Sequence, residues 1–330
     1  MNLKCVAIVG LGSIGRRHLR LLHDLRPDLS IILIRSGRGG DYPEAVLGSR
    51  IVPTIDDAIE AGVQAAIIAT PASLHFQQSM RFIESGVHFL VEKPLALSTE
   101  GIQMLIDSAS RNSVISLVGY VLRYDPAARC FKKWLQKHII GKIIHVRIIC
   151  GSFLPDWRPQ QDYRKTVSSI AELGGGVLFE LSHELDYLHW FFGKPIDVQA
   201  KLAKSGTLDI DVEDSSDLII TCSGNVTLSV HLDFNRRIPT RACIVQTTEG
   251  ELRWNALAKE VVWHSAGQSP ELETFEYDHD HMYRSQLEHF LACIEKGVSP
   301  IVSLDDGAAV MYLIEAAQQA HKTGCKVLLS

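Results

Sequence analysis

The chain has 330 residues and a formal net charge of −5 at pH 7. That length predicts about two globular domains, and the 46% hydrophobic and 22% charged residues are typical of a folded globular protein. The charge excludes the class of nucleic-acid-binding proteins that present a strongly basic surface. No run approaches the ~18–20 apolar residues that span a bilayer, so we expect a soluble protein with no membrane partner.

The cysteine pattern predicts reduced thiols. The seven cysteines are odd in number, lie far apart and include no Cys-x-x-Cys pair. Neither a disulfide framework nor a zinc site is indicated by that pattern. We therefore expect reduced, mostly buried thiols and no metal. For a chain with no predicted membrane span, the expected location is the cytoplasm.

The first 120 residues alternate short apolar runs with segments of helical period. The apolar runs, rich in Val and Ile, are CVAIVG, IILI, QAAIIAT, HFLVE and ISLVGY. This alternation is typical of βαβ units on a parallel sheet. It predicts a doubly wound α/β domain over residues 1–120.

From about residue 140 the pattern changes to closely spaced strand-like runs. They are IIHVRIIC, DLIITCSG, NVTLSVHLDF and RACIVQTTEGELRW, with turn chemistry between them. Two helical patterns close the chain at about 281–296 and 306–323. We therefore predict an α+β domain over residues 121–330, built on an open, mostly antiparallel sheet.

A glycine-rich turn directly follows the first predicted strand. Gly10, Gly12 and Gly15 form a GxGxxG pattern between CVAIV and the helical segment RRHLRLLHDL. In that context the first glycine permits a tight turn, the second the approach of a pyrophosphate, and the third close packing of helix on strand. The backbone at Ser13 and Ile14 would hold the pyrophosphate at the helix N-terminus. The motif predicts a Rossmann domain that binds NAD or NADP.

The end of the second strand bears on which dinucleotide is preferred. A carboxylate there accepts hydrogen bonds from the ribose of NAD, but this chain has Arg35, Ser36 and Arg38 after IILI. Arginines at this position favour the 2′-phosphate of NADP through charge-assisted hydrogen bonds. Because arginine also stacks on adenine, NAD is the alternative to the slightly favoured NADP.

Four motifs, GLGSIGRRH, AIIATPASLH, VEKPLA and GGGVLFELSHELD, occur in an order and at separations that resemble the Gfo/Idh/MocA family. That family is named after glucose–fructose oxidoreductase and inositol dehydrogenase, and the resemblance covers essentially the whole chain. It implies a Rossmann domain followed by an open-faced sheet whose exposed face serves as an oligomer interface, and hence a homodimer or homotetramer. It also implies hydride exchange between a nicotinamide and a carbinol of a sugar, polyol or nucleotide sugar.

The resemblance implies roles for two further segments of the first domain. Thr70 and Pro71 would line the cofactor, with His75 opening the next helix nearby. The segment Glu92-Lys93-Pro94 would place Lys93 at the nicotinamide and the substrate, through an unusual backbone turn at Pro94, and His75 and Glu92 would be further cofactor-binding residues. The residues agree, because Lys93 follows the apolar strand HFLV and so emerges at the carboxyl edge, where doubly wound sheets bind ligands. A surface lysine is the alternative.

His183 is the candidate proton carrier. In a helix over GGGVLFELSHELDYLHWFFG, Glu180 lies three positions before it and Asp186 three after it, so all three share one face. A carboxylate that orients an imidazole is typical of an acid–base histidine. His183 and Asp186 match the family's His-x-x-Asp, whereas Glu180 stands where the family has an aspartate one residue earlier, which leaves its part in catalysis open. A core histidine satisfied by a neighbour is the alternative.

Four other residues are candidate substrate contacts. Arg123 in GYVLRYDPAA matches a family arginine near the substrate, and the segment DWRPQQDYRK supplies Trp157, Tyr163 and Arg164. Loops often carry binding residues, although packing of the loop by Trp157 is an equal alternative. Several arginines favour an anionic substrate, such as an acidic sugar or a nucleotide sugar.

Two other functions are compatible with these motifs. One is a catalytically inactive protein of the same fold that senses dinucleotide or sugar and regulates a partner, but the retention of Lys93 and His183 argues against it. The other is reduction of an imine or a non-sugar carbonyl, because function depends on the site and not on the fold.

Overall fold

A computed structural model describes residues 2–37 and 40–329 of the chain. These residues divide into two compact units. The first consists of the chain up to Val121 together with Asp278–Ala308, and the second of Leu122–Tyr277 together with the chain from Ala309 onward. Each unit is built on a sheet of its own.

Within the described part of the first unit, six parallel strands form a sheet in the order β3-β2-β1-β4-β5-β6. The strands are β1 (Cys5–Val9), β2 (Ser30–Ile34), β3 (Arg50–Val52), β4 (Ala65–Ile68), β5 (His88–Val91) and β6 (Ser116–Val118). This is the strand order of the dinucleotide-binding Rossmann fold. It confirms the predicted fold class of the N-terminal domain.

Helices connect these strands and explain their apolar runs. They are α1 (Ser13–Leu25), α2 (Ile55–Glu60), α3 (His75–Glu84) and α4 (Ile102–Arg111). In α1, Leu19 and Leu22 are buried while Arg20 is exposed, so the helix turns one apolar face to the sheet. Strands of a parallel sheet are covered on both faces, and every residue of β4 is buried accordingly.

Helix α8 (His281–Lys296) belongs to the first unit, which differs from the predicted boundary after residue 120. Its bounds match the predicted helix, but the sequence assigned it to the second domain. The reason for the difference is packing, because Leu287 and Phe290 join the core that contains Leu19 of α1. Arg26, which follows α1, also pairs with Glu295, with 3.1 Å between Nη1 and Oε2.

In the described residues of the second unit, nine strands form a mixed sheet in the order β14-β13-β12-β11-β7-β10-β9-β8-β15. The strands are β7 (Ile143–Gly151), β8 (Pro195–Ala203), β9 (Ser215–Cys222), β10 (Val226–Asp233), β11 (Thr240–Thr247), β12 (Gly250–Asn255), β13 (Glu260–Ser265), β14 (Glu271–Thr274) and β15 (Val327–Leu328). β7 and β10 pair in parallel, and the other neighbours pair antiparallel. The predicted mostly antiparallel sheet is confirmed.

The remaining helices are α5 (Pro126–Leu135), α6 (Val177–Glu180), α7 (His183–Phe192) and α9 (Leu304–Thr323). The predicted single helix after the triple glycine is therefore two helices, because Leu181 takes φ −97° and ψ 26°, outside helical values. No helix in the described parts of the chain has the length and apolar character needed to cross a bilayer.

The two faces of the second sheet differ in burial. In β10, Leu228, Val230 and Leu232 are buried, whereas Ser229 between them is half-buried. Helices α5 and α6 pack on the buried side. On the opposite side Ile219 is 46% exposed, so the described residues of this unit leave that face of the sheet open around it.

Candidate functional site

The turn between β1 and α1 has the shape that its glycines predict. Gly10 has a φ of +86°, a left-handed conformation that glycine adopts without steric cost. A Cβ on Gly15 would lie 2.0 Å from the carbonyl oxygen of Gly10, so the close approach of helix and turn requires glycine. A Cβ on Gly12 would meet no described atom within 4 Å. Gly10 and Gly15 therefore close the turn, and Gly12 leaves the backbone open on one side.

The N-terminus of α1 suits an anion. The first amide groups of a helix lack partners within it and carry the positive end of its dipole. Gly12 occupies the N-cap position without a side chain to engage those groups, and the first turn carries no acidic residue. Gly12 and Ser13 are exposed, and Ile14 is half-buried. This arrangement fits the pyrophosphate of a dinucleotide.

A cavity of about 460 Å³ lies beside this turn, where β1, β2 and β4 reach their carboxyl ends. Crevices at that edge are where doubly wound sheets bind ligands. Arg38, one of the predicted cofactor residues, lies outside the described residues. Six other predicted cofactor residues line the cavity together: Gly10, Gly12, Arg35, Ser36, Thr70 and Pro71.

Tyr42 also lines this cavity, although no sequence motif indicated it. The guanidinium of Arg16 lies 4.4 Å from the centroid of the Tyr42 ring, and that of Arg35 lies 5.9 Å from it. Arg35 donates a hydrogen bond to the carbonyl of Gly40, and Arg16 contacts Glu44 at 3.5 Å. Arg35 thus lines the cavity wall that follows β2, and Arg16 of α1 reaches this wall through the Tyr42 ring. Tyr42 lies in an irregular segment, where neither periodicity nor motif could reveal it.

His75 is a buried link between two loops and does not line the cavity. Its Nδ1 lies 2.8 Å from the carbonyl oxygen of Pro94, and its Nε2 lies 2.9 Å from that of Thr70. Burial lowers the pKa of His75 and outweighs both carbonyl contacts. The neutral ring donates to one carbonyl at a time. His75 therefore connects the cavity wall at Thr70 to the turn at Pro94.

Lys93 emerges after β5, at the same edge of the parallel sheet as the glycine turn. It is half-buried, and its peptide bond to Pro94 is cis, the unusual turn that the family resemblance implies. Its backbone N–H donates to Glu92 Oε2 at 3.3 Å. Glu92 Oε1 lies 2.8 Å from His18 Nε2. His18 closes the motif GLGSIGRRH, and its spacing from Gly15 places it on the buried face of α1, but the motif indicated no role for it.

His183 begins α7, while Glu180 ends α6. The two residues therefore do not share one continuous helix face, contrary to the expectation from the sequence. His183 and Asp186 both lie in α7. His183 is half-buried and Asp186 is fully buried. The break leaves Glu180 on a short helix of its own.

Two ion pairs, one buried and one partly buried, hold the first turns of α7. The Arg123 guanidinium donates to both carboxylate oxygens of Asp186, with 2.7 Å from Nη2 to Oδ1. Arg241 of β11 donates from Nε to Glu184 Oε1 at 2.8 Å. Glu184 and Arg241 were not predicted, because they are far apart in sequence and the fold alone pairs them. The guanidinium of Arg123, predicted to contact substrate, faces a carboxylate of its own unit.

Trp157 packs its loop against the second sheet. Its indole N–H donates to Ser152 Oγ at 2.6 Å. Its ring meets the ring of Phe234 edge-on, with 5.4 Å between centroids. The loop-packing alternative therefore describes Trp157, and a substrate contact for it stays a prediction.

Tyr163 and Arg164 are tied to an acidic segment. The Tyr163 hydroxyl accepts a hydrogen bond from the backbone N–H of Asp209 at 3.2 Å. Arg164 pairs with Asp162 at 2.9 Å and with Asp209 at 3.4 Å. Two carboxylates thus face the Arg164 charge, which weakens the inference of an anionic substrate from this arginine.

Comparison with known proteins agrees with this geometry. Residues 4–120 match the Gfo/Idh/MocA oxidoreductase family with its NAD-binding Rossmann fold, and residues 129–253 match the C-terminal domain of the same family. The chain is 25% identical to scyllo-inositol 2-dehydrogenase (NAD(+)) of Bacillus subtilis over 98% of this chain and 95% of that one. It is 29% identical to 2,7-anhydro-N-acetylneuraminate hydratase of Mediterraneibacter gnavus, over 57% of this chain and about half (49%) of the hydratase.

Solved structures share the whole fold. Levoglucosan dehydrogenase in complex with NADH superposes with a TM-score of 0.88 at 18% identity, over 100% of both chains. UDP-N-acetylglucosamine 3-dehydrogenase from Acidithiobacillus ferrooxidans gives a TM-score of 0.81 at 20% identity, over 98% of this chain and 99% of that one. At these identities the similarity establishes the fold.

Proposed function

This chain belongs to the Gfo/Idh/MocA family of NAD-binding oxidoreductases, and from that membership we propose that it transfers a hydride between a nicotinamide cofactor and a carbinol or keto carbon of a sugar, polyol or nucleotide sugar. One observation carries the proposal. The open glycine turn at the N-terminus of α1 and the turn at Lys93 lie at the same edge of one parallel sheet. A dinucleotide anchored at the first is bound where such sheets take their ligands.

Lys93 and His183 divide the chemistry at the substrate oxygen. When bound, the nicotinamide accepts or supplies the hydride. Lys93 donates a hydrogen bond to the carbinol oxygen and stabilises the negative charge that develops there. His183 takes the proton from that oxygen during oxidation and returns it during reduction. Both residues are half-buried, which limits the water that competes for these hydrogen bonds.

The surroundings of α7 support the part assigned to His183. Asp186 and Glu184 lie one turn or less from His183, and an arginine pairs with each of these buried carboxylates. A proton carrier needs a constant position relative to the atom it serves. We assign Asp186 the role of holding His183 in position, and Arg123 acts by holding Asp186. A substrate contact for Arg123 stays a prediction. Glu180 lies outside α7, in the short helix α6, so its part is open.

We propose NADP as the preferred cofactor. Arg35 lines the cavity on the wall that follows β2, and Arg16 of α1 lies over the ring of Tyr42, which lines the same cavity. Two guanidinium groups there favour a 2′-phosphate over a 2′-hydroxyl. Ser36, which also lines the cavity, supplies a further hydrogen-bond donor.

We propose a homodimer or homotetramer formed through the open face of the second sheet. That face carries Ile219, which is 46% exposed, and also the half-buried Ile149 and Ile244. Apolar side chains grouped on an uncovered surface favour association. Light scattering that shows a monomer at micromolar concentration would contradict this proposal.

We propose the cytoplasm as the compartment of this enzyme. All seven cysteines are free thiols, among them the buried Cys150, Cys222, Cys243 and Cys293. Proteins of reducing compartments keep their thiols in this state. Fractionation of cells that express the tagged protein tests the assignment.

Two measurements test the proposed function. Calorimetry with NAD, NADH, NADP and NADPH tests the cofactor, and binding of none of them would overturn the proposal. Absorbance of the nicotinamide is then followed with a panel of candidate substrates that includes scyllo-inositol, levoglucosan and UDP-N-acetylglucosamine. Turnover of a sugar or polyol would support the proposal that the protein is an enzyme. Binding of cofactor without turnover of any sugar, polyol or nucleotide sugar would favour the inactive sensor.

A further inference from the structure

His18 connects the first helix of the Rossmann domain to the turn that carries Lys93. The side chain of His18 is fully buried in α1, and its Nε2 lies 2.8 Å from Glu92 Oε1. Its ring also packs edge-on against Tyr283, with 6.0 Å between centroids. Within the described residues, His18 Nδ1 has no hydrogen-bond partner. Among the described residues, the His18 ring therefore makes its hydrogen bond through Nε2, to Glu92.

Glu92 passes this contact on to the next residue. It is 8% exposed, and a buried carboxylate is costly unless hydrogen bonds satisfy it. One oxygen of Glu92 faces His18, and the other accepts the backbone N–H of Lys93 at 3.3 Å. A Cβ on Gly119 would lie 2.8 Å from Glu92 Oε2, so the carboxylate is closely packed from that side as well. Glu92 thus has one well-defined position, which depends on its donor.

A histidine also contacts the other side of the Lys93 turn. The carbonyl oxygen of Pro94 lies 2.8 Å from Nδ1 of the buried His75. The backbone is therefore contacted at the Lys93 amide by Glu92 and at the Pro94 carbonyl by His75 of α3. These contacts keep the backbone of Lys93, from which its side chain extends, in one position.

We propose that His18 is a positioning residue for Lys93 and acts through Glu92. The hydrogen bond from His18 Nε2 holds the Glu92 carboxylate, and the carboxylate holds the backbone amide of Lys93. Loss of the donor leaves a buried carboxylate oxygen unsatisfied, and Glu92 turns to find another partner. Lys93 then loses its fixed backbone. The inference rests on the function proposed for Lys93, but its test does not need turnover.

The matched variants are His18→Gln, His18→Asn and His18→Leu. Gln places its amide N–H near the position of Nε2 and keeps the donor, whereas Asn is too short to reach Glu92. Gln and Asn are both polar and smaller than histidine, so we expect the two substitutions to affect folding stability similarly. The comparison between them therefore decides the test even if His18→Leu does not fold. The control is His88→Leu, because His88 accepts a backbone hydrogen bond from Ile115 at the opposite end of β5.

The first readout is the NMR signal of Lys93 in the full-length protein after reductive ¹³C-methylation of its lysines, assigned by its loss in Lys93→Arg. We expect the Lys93 signal to move in His18→Asn and His18→Leu, and to stay in His18→Gln and His88→Leu. An unmoved Lys93 signal in folded His18→Asn overturns the inference, and so does an equal shift in His88→Leu. This readout stands even if no substrate turns over.

The second readout is steady-state kinetics on the best substrate of the panel. A displacement of about 1 Å costs on the order of 10²-fold in rate, so we expect kcat to fall by about that factor in His18→Asn. His18→Gln should restore most of the rate, and the Kd for NADPH should not change in either variant. Equal kcat in His18→Asn and wild type overturns the inference. A fall in kcat that His18→Gln does not restore also overturns it.

Discussion

The guanidinium of Arg123 binds both carboxylate oxygens of Asp186, and both side chains are buried, with 4% and 0% of their surface exposed. Removing one partner of such a pair leaves an uncompensated buried charge, which costs about 3–5 kcal/mol. We therefore expect Arg123→Met and Asp186→Asn to lower the free energy of unfolding by that amount. Urea titrations followed by circular dichroism measure it.

An exposed pair provides the control for this prediction. Arg81 and Asp56 lie 2.6 Å apart, but their side chains are 42% and 64% exposed. Exposed pairs contribute about 0–1 kcal/mol, so Arg81→Met should change the unfolding midpoint little. Equal losses in Arg123→Met and Arg81→Met would show that the Asp186 pair does not hold α7 as described.

Lys93→Met should separate catalysis from cofactor binding. Turnover should fall by orders of magnitude, because the variant lacks the donor that stabilises charge on the substrate oxygen. The Kd for the cofactor should stay nearly unchanged, because the turn from Gly10 to Gly15 holds the pyrophosphate independently. Calorimetry and steady-state kinetics on the same preparation measure both. Exposed Lys296, at the end of α8, gives the control Lys296→Met, and equal turnover in the two variants would remove Lys93 from the mechanism.

His183→Ala should lower turnover by roughly 10²–10⁴-fold, the usual contribution of a positioned acid–base group. The variant should also lose one limb of the pH–rate profile. Kinetics across pH, with circular dichroism to confirm folding, measure the effect, and His23→Ala on the exposed side of α1 is the control. If folded His183→Ala keeps near-normal turnover, His183 has a structural role and Tyr163 becomes the candidate proton carrier.

Arg35→Ala should weaken binding of NADPH more than binding of NADH. A hydrogen bond to a charged group contributes about 1.5–3 kcal/mol, so the loss for NADPH should be about 10–100-fold. The affinity for NADH should change little, because NADH has no 2′-phosphate. Calorimetry with both cofactors measures the difference. Tighter binding of NADH than of NADPH by the unchanged protein would reverse the cofactor assignment.

His75 should make stability fall in mild acid. Burial lowers its pKa in the folded state below the value of the unfolded chain, about 6.5. The unfolded chain then binds the proton more readily, so the stability from His75 is complete above about pH 6.5 and is lost as the pH falls through the folded-state pKa. Melting temperatures between pH 8 and pH 5 should fall more steeply in wild type than in His75→Leu. Identical slopes in the two proteins would contradict the prediction.

The features of this protein that its sequence predicts well depend on local patterns. Gly10 and Gly15 are fixed by contacts within one turn, and the bounds of α8 follow from periodicity alone. Buried parallel strands can be recognised in the sequence as continuous apolar runs between helical segments. The Rossmann domain and the open second sheet are therefore predictable from the order of residues along the chain.

The features that could not be predicted depend on contacts between distant residues or on small backbone changes. The apolar face of α8 does not reveal whether it packs on the first or the second sheet, and the pairing of His18 with Glu92 spans 74 residues. The break before His183 falls at Leu181 and Ser182, where no glycine or proline marks it. Glu180 and His183 would share one face only if the helix were continuous from one to the other. The break between α6 and α7 means that it is not.

Transfer of deuterium tests the central claim most directly. The protein is incubated with NADPH or NADH carrying deuterium at the reactive carbon of the nicotinamide, together with the keto forms of the sugar, polyol and nucleotide-sugar panel, and products are analysed by mass spectrometry. The proposed function predicts a labelled alcohol, formed by the unchanged protein and strongly reduced with Lys93→Met. Bound cofactor with no label in any product would contradict hydride transfer to such carbonyls and leave a protein that only binds the dinucleotide.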